Sequence, residues 1–118
     1  MLLGVAGCGY RPDPLPQTSP VHGKVTNAAN EPVTGGMVTF EPESDPSVFT
    51  VGAIQGDGSY TLTTSRSGLK SPGAVVGANR VIVDLPFSPG QAPSPRCVLE
   101  KPVIVEPGEN EIPLKLLR

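Results

Sequence analysis

Between residues 21 and 116, apolar and polar positions alternate in short runs broken by turn residues. In VHGKVT, Val21, Gly23 and Val25 fall on one face and His22, Lys24 and Thr26 on the other, the period of two that marks a half-buried strand. The pattern returns in MVTFE, with Val38 and Phe40 inward, and in FTVGAI, with Phe49 inward. YTLTT sets Tyr60 and Leu62 against Thr61 and Thr63, and NRVIVDL turns Val81 and Val83 inward. A sixth run lies in CVLEKPVIVE, strongest at residues 103–105, and a seventh in EIPLKL, with Ile112, Leu114 and Leu116 inward. NAANEPVTGG, EPESDPS, GDGS and PGEN supply the turns, while residues 65–77 and the proline-rich residues 86–96 read as longer loops. No window keeps apolar residues at helical spacing without a Pro or Gly inside it, so no significant helix is expected. About seven short strands at this spacing predict an all-β fold, a seven-stranded antiparallel β-sandwich. Pro113 lacks an N–H for a ladder, which places the last strand at a sheet edge or turns Pro113 outward there.

Composition narrows the picture. The chain has 118 residues, the size of one domain. Its 15 prolines and 14 glycines would signal disorder in an aperiodic chain, but here they punctuate alternating runs. With a net charge of -2 and no basic stripe, the sequence argues against a nucleic-acid partner.

The first 20 residues differ in texture. In MLLGVAGC a small apolar run ends in Cys8, and Val5-Ala6-Gly7-Cys8 resembles a bacterial lipobox. That resemblance implies cleavage before Cys8 and a diacylglyceryl group on its sulfur, since two or more acyl chains anchor stably where one does not. Only seven residues precede Cys8 and none is Lys or Arg, so residues 1–8 read as a truncated signal peptide whose start lies upstream. Residues 9–20 carry Pro12, Pro14, Pro16 and Pro20 and read as an extended linker, with residues 21–118 as the β-sandwich domain. At ~3.1 Å per residue, such a linker holds a domain about 30–40 Å from a bilayer.

Four stretches together resemble a known scaffold: VHGKVTNAANEPVTGGMVTFEPE, QGDGSYTLTT, GAVVGANRVIVDLP and VEPGENEIPLKL. They are similar to the carboxypeptidase-regulatory-like, transthyretin-like β-sandwich lipoproteins of the planctomycete type. The resemblance implies a transthyretin-like or immunoglobulin-like Greek key and an extracytoplasmic, membrane-anchored place at the cell envelope, periplasmic or on the outer membrane. Its motifs are turn glycines and core residues, so it identifies a scaffold and not a chemistry.

Candidate chemistry is sparse. His22 is the single histidine and sits on an outward face beside Lys24, without a nucleophile nearby in sequence. Glu41, Glu43 and Asp45 offer oxygens for Ca²⁺, but two prolines interrupt them and a solvated loop explains them better. Asp57 in GDGS is accounted for by turn chemistry. A glycan site needs exposed aromatics; with no Trp, Tyr10 in the linker and Phe40, Phe49 and Tyr60 inward, Phe87 is the candidate. Cys97, between Arg96 and the apolar Val98 and Leu99, is expected as a buried thiol if Cys8 is acylated; if it is not, a Cys8–Cys97 disulfide is open, though the linker between Cys8 and the domain disfavours it. The expectation is a non-catalytic module without metal or cofactor. It is held to the membrane through lipid on Cys8 and has a structural or protein-interaction role. The alternative is a glycan- or peptide-binding module using loops at one end of the sandwich.

Overall fold

The computed structural model describes residues 15–85 and 96–116. The 1–8 leader with Cys8, residues 9–14 of the linker and the Phe87 loop lie outside the described residues, and with them the lipidation and disulfide expectations. In chain order the strands are β1 (Thr18–Ser19), β2 (Val21–Thr26), β3 (Met37–Pro42), β4 (Phe49–Ala53), β5 (Ser59–Thr61), β6 (Thr63–Arg66), β7 (Leu69–Pro72), β8 (Ala74–Val75), β9 (Gly77–Asp84), β10 (Arg96–Val98), β11 (Val103–Val105), β12 (Asn110–Glu111) and β13 (Leu114–Lys115). Among the described residues there is no helix, and the fold is the all-β sandwich that the alternation predicts.

The larger sheet is antiparallel and runs β10–β9–β3–β4–β6–β7, with β11 beside β10 on the same flank of β9. Its inward positions pair across the strands as Val38 with Val83 and Phe40 with Val81. Cys97 extends the first of these rows, opposite Val83. The sixth run is therefore one strand split in two. The smaller sheet is centred on β2, which pairs antiparallel with β5 at Gly23 and Tyr60. On its other side β2 pairs parallel with β12 and β13, through Asn110 with Val21 and Leu114 with Val25. This corrects the expectation of antiparallel pairing throughout. The chain reaches β12 by leaving the larger sheet at Val105, so no hairpin constrains the two strands to run oppositely. Pro113 separates β12 from β13 and is exposed at this sheet edge, as its missing N–H requires.

The core lies between the sheets. Phe40, Val38, Val81, Val83 and Val105 of the larger sheet meet Val21, Val25, Tyr60, Leu62, Leu114 and Leu116 from the other side. Ile112 is half-buried at the rim of that cluster. The chain passes between sheets at Leu62, and β4 lies so close there that a Cβ on Gly52 would collide with the Thr61 carbonyl.

Two segments differ from expectation. Thr18–Ser19, assigned to the linker, forms β1 and pairs antiparallel with Ala74–Val75 of β8. Val76 N–H also donates to the Gln17 carbonyl at 3.0 Å, so the chain has entered the fold by Gln17. Residues 65–77, read as a loop, hold the β6–β7 hairpin and β8. Ser67 and Gly68 sit at φ 51° and 84°, two consecutive left-handed residues that close a two-residue turn matched to strand twist.

Candidate functional site

The outward face of the larger sheet is built from the positions that alternate away from the core, and the register aligns them in rows. A central row reads Val98, Ile82, Thr39, Val51, Thr63 across β10, β9, β3, β4 and β6. On one side runs Arg96, Asp84, Met37, Ala53. On the other side Arg80 pairs with Glu41 and Phe49 with Ser65. Carrying the β3–β4 register on by one pair sets Glu41 opposite Phe49. Phe49 is 70% exposed and Val51 36%; Met37 and Val98 are also exposed, and so is Ile104, opposite Ala78 on the same face. Ile82, in the middle, is only 6% exposed. Single apolar side chains scattered over a surface need no explanation, but these five share one face, with threonines and paired charges between them.

The placement of Phe49 corrects the expectation that it points inward. Strand parity decides it. Thr50 is fully buried, with its Oγ1 2.8 Å from Thr64 Oγ1, and Thr64 Oγ1 donates to the Gly73 carbonyl at 2.8 Å. Gly52 and Ile54 share the parity of Thr50, so Phe49, Val51 and Ala53 must face out. Phe49 then borders a cleft of about 330 Å³ lined by Phe40, Pro42 and Val48 and rimmed by Glu41, Glu43 and Arg80.

The charges on this face are paired in the plane of the sheet. Arg96 Nε donates to Asp84 Oδ1 at 2.8 Å, and that carboxylate raises the Arg96 pKa above its ordinary value. Arg80 Nη1 lies 4.0 Å from Glu41 Oε1, with both side chains at least half exposed.

The other candidates are scattered. His22 is exposed on β2, 4.0 Å from Glu109 Oε1 and opposite Glu111 in the register. It borders a second cleft of about 440 Å³ with Lys24, Gln55 and Thr61. Both glutamates are exposed, and the structure does not set His22 beside a buried acid. Asp45 is held by its own loop: Ser47 donates to it through hydroxyl and amide, and Arg66 Nη1 at 2.8 Å. The Ser47 bonds chiefly, with Arg66 adding, depress its pKa. Asp57 accepts the Ser59 hydroxyl and amide, which depress its pKa, and so closes the turn before β5. Among the described residues no three His, Cys, Asp or Glu side chains are placed to hold a metal ion. Cys97 is a free thiol, half-buried against the core.

Sequence reasoning missed the side chains that organise the ends of the sandwich. Asn110 accepts from Glu106 N–H and donates to the Glu106, Gly108 and Pro20 carbonyls, pinning the PGEN turn to the start of β2. Asn79, fully buried, donates to the Val75 and Gly77 carbonyls and holds the β8–β9 reversal. An Asn inside an otherwise apolar strand was the available signal for the second.

No family model, curated protein or solved structure matches the chain. Among the described residues no helix is long and apolar enough to cross a membrane.

Proposed function

We propose that the chain is a lipid-anchored, extracytoplasmic module of the cell envelope that docks a protein partner on the open face of its larger sheet and carries out no chemistry itself. The observation that carries this reading is the number of large apolar side chains left exposed on that one face: Met37, Phe49, Val51, Val98 and Ile104. Leaving such a surface in water is costly, and patches of this kind mark interaction sites. The lipobox-like Val5-Ala6-Gly7-Cys8, the proline-rich stretch after it and the resemblance to transthyretin-like envelope lipoproteins support the anchored, extracytoplasmic setting. A second reading, a glycan- or peptide-binding module, is favoured by one observation: the Phe49 ring is exposed beside a cleft with two carboxylates and a guanidinium on its rim.

Hydroxyl-radical footprinting tests the docking reading without knowledge of the partner. Met37 and Phe49 are expected to be oxidised readily in the dilute purified chain and to be protected in intact membranes of the source cell. Tyr60, buried in the core, serves as the internal reference in both samples. Equal oxidation of Met37 and Phe49 in both settings overturns the reading.

A further inference from the structure

We infer that the partner on this face is a second copy of the same chain, packed sheet to sheet about a two-fold axis that runs along the central row. The inference rests on the docking reading above and goes on to name the occupant. A two-fold interface brings the same patch of both copies together, so the patch must complement itself. Rotation about an axis along the row Val98–Ile82–Thr39–Val51–Thr63 lays each of those residues over its own copy, a seam of three apolar side chains and two threonines, with like over like at each. The same rotation lays the two flanking rows over each other, strand by strand. On β9, Asp84 of one copy, which holds Arg96 in its own chain, then faces Arg80 of the other, and Arg80 faces Asp84, so the in-plane pairs of the two copies join into two reciprocal charge clusters. On β4, Phe49 of one copy meets Ala53 of the other, a large side chain over a small one. On β3, Met37 meets the stem of Glu41, and no like charges are opposed in the three rows. Turning instead about an axis along the strands through Thr39 would set Glu41 against Glu41. The charge pattern therefore selects the first arrangement.

The size of the face sets the strength. Five strands about 4.8 Å apart and three rows about 6.8 Å apart cover roughly 500 Å² per copy, or about 1,000 Å² for the pair. That is the low end for a specific interface, so the pair is weak and reversible in free solution. Two copies anchored in one bilayer would share one layer and one orientation, which favours so weak a contact over free solution.

The test is sedimentation of the full chain carrying Cys8→Ser, in reducing buffer, over concentrations from about 10 μM to about 1 mM. The expected result is a reversible rise from the 12.2 kDa chain to twice that mass. Val51→Asp should abolish the dimer, with Val98→Asp at the far end of the row as the second disruptor if the first variant does not fold. Arg80→Glu and Asp84→Arg should each weaken it about tenfold, and the two together should restore it to within about threefold. A chain that stays monomeric throughout, a dimer indifferent to both row variants, or a double charge swap no stronger than either single variant overturns the inference. The footprinting result separates this failure from that of the docking reading. Protection of Phe49 on membranes with a monomeric purified chain removes the second copy but keeps a docked partner, whereas no protection removes both.

Discussion

Gly23 and Tyr60 form one unit. They are register partners on β2 and β5, and a Cβ on Gly23 would collide with the Ile112 carbonyl and crowd the Tyr60 ring. The empty side of Gly23 lets Tyr60 lie across the strand, where its hydroxyl donates to the Ile112 carbonyl at 2.6 Å. The Ile112 N–H donates to the His22 carbonyl at 2.8 Å, so backbone and phenol between them pair both polar groups of Ile112 in the gap between β12 and β13. Alternation placed Tyr60 inward correctly, but the partner of its hydroxyl lies 52 residues away and was not readable. Tyr60→Phe is expected to cost about 1–3 kcal/mol at neutral pH, because it strands a part-buried carbonyl. Burial raises the Tyr60 pKa well above its ordinary value of 10.0, so its contribution is fully present below pH 10 and is lost as the unfolded phenol ionises above it. Urea melts at pH 8 and pH 11 should therefore show the deficit of Tyr60→Phe shrinking at the higher pH. A deficit that is constant with pH would mean that Tyr60 is not held neutral in the fold.

Parity and turn chemistry decide what each strand presents. Seven strands were legible because their apolar alternation is strong. In FTVGAI the alternation is ambiguous: Phe49, Val51 and Ala53 on one parity rival Thr50, Gly52 and Ile54 on the other. The polar-looking parity faces the core because Thr50 bonds Thr64 and Gly52 clears the Thr61 carbonyl, both long-range facts. The β6–β7 hairpin went unread for a different reason. Its turn is Ser67-Gly68, and the strands around it, TTSR and LKSP, carry little apolar signal. The outward setting of Phe49 has a direct consequence for stability. Phe49→Ser should change the unfolding free energy by less than about 0.5 kcal/mol, whereas Phe40→Ala, in the core of the same sheet pair, should cost about 3–5 kcal/mol. Chemical denaturation of both variants checks this, and a large loss in Phe49→Ser would put that ring back into a packed environment.

At the scale of the whole molecule, the two sheets differ in what they leave uncovered. The smaller sheet is three strands wide, with its outer edge broken by Pro113. The larger sheet offers a broad outer face whose middle row is uncharged and whose charges sit to either side. The fold class was legible from periodicity alone, but the face was not. Its rows are assembled from β3, β4, β6, β9 and β10, and their alignment depends on register set by pairing and not by any one segment. The lipobox-like Val5-Ala6-Gly7-Cys8 and the proline-rich stretch after it, by contrast, are local signals read from the sequence alone. In the function proposed above, the envelope setting and the open face belong together, since an anchored module acts through the surface it presents. The intact mass of the Cys8-containing peptide, isolated from membranes of the source cell, tests that setting most directly. The account predicts a peptide that begins at Cys8 and carries acyl mass; a peptide that runs unbroken through Gly7 and Cys8 with a bare thiol would contradict it.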